Sequence, residues 1–147
     1  MRLLKLRIEN INSLAGRYEI DFTNRDYVES GIFAIVGPTG SGKTTILDAV
    51  TLALFGKTPR METRTSTSKK TDRGCMVLTE GRKQCSASVV FESMGKFWRS
   101  RWSVRLKRTG EPRDAQVELV RLPDGSAETG EIVAEPVSYT HLRAHET

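Results

Sequence analysis

Residues 37–44 read Gly-Pro-Thr-Gly-Ser-Gly-Lys-Thr, and no other stretch restricts the fold of this chain as much. The pattern is G-x-x-x-x-G-K-[ST], a loop whose backbone amides turn inward around a phosphate group. Glycines at 37, 40 and 42 supply the backbone freedom and leave room where a Cβ would intrude. A helix opening directly after the loop points its positive dipole end at the same anion. In such a loop Lys43 reaches the β- and γ-phosphates, and the Thr44 hydroxyl takes one Mg²⁺ coordination position. Thr39 and Thr45 are placed to contact the γ- and α-phosphates, and Ser41 completes the candidate site.

The flanking sequence separates this loop from a chance glycine-rich turn. Gly31 introduces Ile32-Phe33-Ala34-Ile35-Val36, a continuous apolar run that predicts a central strand covered on both faces. After the loop, Ile46, Leu47, Ala49, Val50, Leu52, Ala53, Leu54 and Phe55 leave hardly any polar face. That distribution predicts a helix packed between layers. Gly56 supplies its stop, and Pro59 follows.

Elsewhere the period is two. Leu4, Leu6 and Ile8 alternate with charged residues, and Tyr18, Ile20 and Phe22 repeat the pattern. These predict an antiparallel pair joined by a longish polar bend holding Asn10, Asn12, Ser13 and Gly16. Ala87, Val89 and Phe91 form a further strand, and Met94-Gly95 a turn. From Phe97 to Lys107, Trp98, Trp102, Val104 and Leu106 share one face, and Arg99, Arg101, Arg105 and Lys107 the other. Gln116–Leu122 reads as a further strand, ended by Pro123-Asp124-Gly125. Residues 57–74 read as a solvated loop in which Arg60 and Arg64 need no role. The picture is an α/β nucleotide-binding start followed by an antiparallel meander.

The chain has 147 residues and a formal charge of +5, enough for one domain or a piece of a larger one. No apolar run approaches the ~18–20 residues of a membrane-spanning helix. Charged and apolar residues alternate from Arg2 to Arg7, which is not a signal peptide. Cys75 and Cys85 match neither a CxxC pair nor a zinc framework, and a reducing, cytoplasmic setting is expected. Val137–Thr147, VSYTHLRAHET, resembles the translation of a sequencing adapter. It holds both histidines, His141 and His145, whose H-x3-H spacing otherwise suggests a metal site. It is set aside as a non-native tail, leaving residues 1–136 as the expected domain and implying that the gene continues further.

Lys96, Arg99, Arg101, Arg105, Lys107 and Arg108 fall within thirteen residues that contain no Asp or Glu. Such a strand is either a solvated face whose arginines pair with carboxylates elsewhere, or a surface tracking DNA phosphates. Charged strand faces are common, which favours the first. Trp98 and Trp102 lie opposite the arginines and are expected in the core. Asp48 is expected to make a local polar contact near the loop. Hydrolysis needs an acidic residue after a second apolar strand, and Val89-Val90-Phe91-Glu92 imitates that only faintly.

MRLLKLRIENINSLAGRYEIDF followed by GIFAIVGPTGSGKTTILDAVTLALFGKTPR resembles the start of SbcC-type proteins, in the SMC-like ATPase group. The resemblance spans essentially residues 1–136. It is most specific in L-x-L-x-I-x-N-x-x-S, the IDF strand, the loop with LDA, and the T-P-R after the helix. ABC transporter ATPases begin similarly, but the NSLAG…IDF spacing matches SbcC better. The fold implied is α/β: the N-terminal lobe of an ABC/SMC-like P-loop NTPase head, with a mixed sheet, a buried P-loop helix and an antiparallel β-meander. The resemblance implies ATP and Mg²⁺ as cofactors and a head split between the two chain ends by a long coiled coil. It implies as partners an SbcD-like nuclease subunit, a second copy joined through ATP-bound heads, and DNA ends or hairpins in double-strand break repair. Asn12 and Ser13 enter as nucleotide contacts in this way, beside Gly37, Thr39, Gly40, Gly42, Lys43, Thr44 and Thr45. The remaining catalytic motifs are absent from these residues, so ATP hydrolysis is expected of the longer protein and not of this chain alone. Two alternatives stand: a nucleotide- and DNA-binding module without turnover, and a transporter-type ATPase.

Overall fold

A computed structural model describes residues 1–58 and 77–134. Pro59, Arg60, Arg64 and Cys75, and the tail with His141 and His145, lie outside the described residues. In chain order the elements are β1 (Arg2–Ile11), β2 (Leu14–Asp21), α1 (Arg25–Ser30), α2 (Lys43–Phe55), β3 (Gln84–Ser93), β4 (Lys96–Arg105), β5 (Gln116–Leu122) and β6 (Glu131–Ala134). The strands form one six-stranded sheet in the order β2-β1-β3-β4-β5-β6. Every pairing in it is antiparallel.

The alternation read from β3 and β4 sorts Ala87, Val89, Trp102 and Val104 as expected, but in β1 a register shift between Leu3 and Lys5 parts Leu4 from Leu6 and Ile8. Leu6, Ile8, Ala87, Val89, Trp102 and Val104 build the main core under α2. Trp102 is 1% exposed, which settles its place in the core. On the other face Leu4, Val90, Val120 and Leu122 form a smaller cluster with Phe97. Met94 and Gly95, at φ 53° and 74°, make the tight β3–β4 turn, two left-handed residues matching the twist of the strands they join.

The connection between β1 and β2 is shorter than the polar residues suggested. Ile11 pairs with Leu14, so only Asn12 and Ser13 turn the chain. Gly16, at φ 97°, belongs to β2, and its N–H donates to Asn10 Oδ1 at 2.7 Å. Asn10 and Asn12 sit at φ 51° and 50°, the left-handed region that asparagine tolerates better than most residues. The polar residues thus build an irregular hairpin tip, not a long bend.

Two expectations are corrected. Ile32–Val36 lies in no strand, and Ile32 and Val36 are each 85% exposed. An apolar run signals a demand for burial but carries no partner with it, and no described strand pairs with this one. Phe33 instead stacks on Phe22, with ring centroids 5.3 Å apart, beside Tyr27 of α1. Likewise α2 is covered on one side only among the described residues. Ala49, Leu52 and Ala53 are fully buried against the sheet, while Leu47 and Phe55 are 61% and 52% exposed. Burying Leu52 contributes about 1.5–3 kcal/mol. The Ser100 hydroxyl of β4 donates to the Ala53 carbonyl, fixing the helix end. Gly56, at φ 73°, closes the helix with an N–H bond to Leu52 O at 2.8 Å. The short α1, capped by Asn24, and the edge strand β6 were not foreseen. No helix among the described residues is long and apolar enough to cross a membrane.

Candidate phosphate-binding site

The glycine-rich loop closes on itself. The Ser41 N–H donates to Pro38 O at 3.1 Å, and a Cβ on Gly37 would stand 2.6 Å from Ser41 Oγ. Gly40 and Gly42 sit at φ 82° and 102°. The Lys43 ammonium folds back to donate to the Gly37 carbonyl, spanning the loop from its last residues to its first. The first helical bond follows at once, Ile46 N–H to Gly42 O at 3.2 Å. Thr39, Ser41 and Thr44 are exposed along this rim. An ammonium group on a glycine-rich loop at the positive end of a helix is an arrangement that favours an anion.

The β1–β2 tip forms a second wall. A Cβ on Gly42 would meet Leu14 Cδ2 at 2.9 Å, so β2 reaches the last glycine of the loop. The Asn12 amide donates to Thr45 Oγ1 and to Asp48 Oδ2, each at 3.3 Å. Thr45 is 5% exposed and Asp48 7%. Asn12 and Thr45, both expected as nucleotide contacts, thus meet each other in this structure, with Asp48 making the local polar contact expected of it. Ser13 is exposed at the tip. Sequence reasoning missed Leu14 and Thr79. Thr79 Oγ1 donates to Asn12 O at 2.8 Å, and Asn12 N–H donates to Val77 O at 2.7 Å. No local pattern announces a bond between residues so far apart in the chain.

Glu92 is not part of this site. It pairs with Arg2 at 2.8 Å, at the far end of β3 from Gln84, whose carbonyl accepts from Asn10. At ~3.3 Å per residue the two ends of that strand lie roughly 26 Å apart.

The sheet face away from α2 carries the arginines. Arg7 makes a bidentate pair with Glu128, at 2.7 and 2.9 Å, and a bond to Glu19 at 2.7 Å. These bonds push the Arg7 guanidinium above its usual value, Glu128 first, and hold the Glu128 carboxyl below the usual carboxylate range. Arg99 donates to the Glu128 carbonyl and approaches Glu118 at 3.4 Å. Arg99 therefore pairs with a carboxylate elsewhere in the fold as expected, but its side chain is only 20% exposed and not solvated. Arg101 and Arg105 are exposed and have no ion pair among the described residues. Both line a groove with Glu9, Ser103, Arg113 and Asp114.

The AAA domain family model matches residues 5–140. The SbcC subunit of the nuclease SbcCD from Pseudomonas aeruginosa is 45% identical over 118 residues, covering 74% of this chain and 10% of that protein. The probable DNA double-strand break repair Rad50 ATPase of Aquifex aeolicus is 34% identical over 119 residues, covering 81% of this chain and 10% of that one. The SMC head domain from Thermotoga maritima superposes with a TM-score of 0.53 at 26% identity, covering 99% of this chain and 42% of the other. The chain thus spans about a tenth of the length of these curated relatives. The fold is that of a P-loop NTPase head, and the chain belongs to the AAA domain family, with SbcC-like and SMC-like proteins as its relatives.

Proposed function

We propose that residues 37–45 bind ATP with Mg²⁺, as the nucleotide-binding part of an SbcC-like ATPase acting with a nuclease partner in DNA double-strand break repair. The observation that carries this reading is the Lys43 ammonium bonded to the Gly37 carbonyl across a loop whose Gly40 and Gly42 take left-handed backbone. Lys43 would hold the β- and γ-phosphates, Thr44 the metal, and Thr39, Ser41 and the loop amides the remaining oxygens. Asn12, Ser13 and Thr45 would border the nucleotide from the hairpin side. Similarity to proteins named for the SbcCD nuclease and for a Rad50 ATPase supports the assignment to repair. Hydrolysis belongs to the longer protein, through a second copy and further chain. Among the described residues, the exposed Ile32–Val36 run and the uncovered face of α2 support a further cover of that kind.

A second reading, nucleotide and DNA binding without turnover, is favoured by one observation: the carboxylate of α2, Asp48, is already engaged by Asn12. Phosphate release by the longer protein separates the two readings, since Lys43-dependent turnover there excludes the second. Binding itself is tested by titrating a fluorescent ATP analogue with Mg²⁺ against the wild type and Lys43→Ala. Loss of the charge-assisted bonds should weaken binding by about tenfold or more with the circular dichroism spectrum unchanged. Equal affinity for both proteins would refute the site.

A further inference from the structure

Asp48 stands on the sheet-facing side of α2, one turn beyond Thr44, and is 7% exposed. A carboxylate so far from water needs a donor, and its donor is the Asn12 amide. The same amide holds Thr45 Oγ1. Thr45 and Asp48, three residues apart, share one helix face. Both bonds are 3.3 Å, at the long end of the useful range, so a shift of a few tenths of an ångström in the first helical turn changes them.

Asn12 is gripped from its other side as well. Its N–H donates to Val77 O at 2.7 Å, its carbonyl accepts from Thr79 Oγ1 at 2.8 Å, and Thr79 N–H donates to Asn10 O at 2.9 Å. Leu14 meanwhile rests on Gly42. The hairpin tip therefore touches the phosphate loop at Gly42, the helix at Thr45 and Asp48, and residues 77–79 on its far side.

We propose that Asp48 is a positioning residue which, through Asn12, makes the β1–β2 tip a relay between the phosphate loop and residues 77–79. Anion binding that draws in the loop amides pulls on the first turn of α2, and the two Asn12 bonds carry that displacement to the tip. Residues 77–79 follow because they are hydrogen-bonded to the backbone of Asn10 and Asn12. This rests on the nucleotide reading above and adds to it a route by which occupancy regulates a segment that touches no ligand.

The test is hydrogen exchange on the 147-residue chain, with and without MgATP, with binding followed separately by the fluorescent analogue. In the wild type, saturating MgATP should slow exchange of the Asn12 and Thr79 amides by about tenfold. In Asp48→Ala, nucleotide should still bind within about threefold of wild type, while the gain in protection at both amides falls below about twofold. Asp48→Asn, which keeps an acceptor oxygen, should restore the gain. Full protection persisting in Asp48→Ala overturns the relay. So does a wild type that binds MgATP with no change at either amide, a result that stands even if the alanine variant fails to fold. A wild type that binds no nucleotide refutes the function proposed above, a distinct outcome read by the fluorescence titration.

Discussion

Replacing Gly42 with alanine strains the site in two separable ways. Its φ of 102° lies where L residues rarely go, and holding an alanine there costs about 1–3 kcal/mol. The new methyl would also stand 2.9 Å from Leu14 Cδ2 and 3.2 Å from its Cγ. Leu14 is half buried and can partly rotate away, which keeps this clash to about 1 kcal/mol. Gly42→Ala should therefore destabilise by about 2–4 kcal/mol, a large share of the ~5–15 kcal/mol typical of a folded domain. Leu14→Ala removes the clash partner but not the backbone cost. In a double-mutant cycle measured by urea unfolding, the pair should be less destabilised than the sum of the singles, by about 1 kcal/mol. Costs that add to within ~0.3 kcal/mol would show that β2 does not rest on the loop. A neutral Gly42→Ala would show that the backbone at 42 is not left-handed, and the loop geometry would fall with it.

On the arginine face, replacing Arg101 and Arg105 with glutamate should lower the salt dependence of binding to labelled duplex DNA, reducing the log–log slope by about 2. An unchanged slope returns both residues to a merely solvated role. The acidic groups set a pH dependence. Thr23 holds the Asp21 carboxyl below its ordinary value through its hydroxyl and then its amide, Ser126 does the same for Asp124, and Arg7 for Glu128. Carboxyls depressed in the fold stabilise it above their ordinary pKa of about 4 and lose that contribution as pH falls through the lowered value. The urea midpoint should therefore hold steady from about pH 7 to 5 and drop below about pH 4. In Arg7→Gln the Glu128 carboxyl should titrate higher by NMR. An unmoved Glu128 midpoint would refute the pairing.

What the sequence made legible follows from what each signal encodes. The loop motif, the start of α2 and its Gly56 stop are local chemistry, and each lies where the residues put it. Alternation in β3 and β4 is a record of which face is buried, so Trp102 and Arg101 fell on their proper sides. Pairing partners leave no such record. The five residues from Ile32 to Val36 read as a central strand because apolarity alone cannot say whether a neighbour exists. The hairpin tip was misjudged for a different reason: Asn10 and Asn12 look like loop residues, yet here their side chains knit the bulge and the helix together. Asp48 drew only a modest expectation because its importance comes from a residue 36 positions earlier.

The sheet order also dictates a sequence of assembly. Neighbours β3, β4, β5 and β6 follow one another along the chain, so each can zip onto the last through a short connection. The β1–β3 ladder is the exception, and the glycine-rich loop and α2 lie inside the span it must close. Because the floor beneath α2 is laid by β1, β3 and β4 together, a nascent chain has no rigid grip on its ligand until Arg105 has left the ribosome.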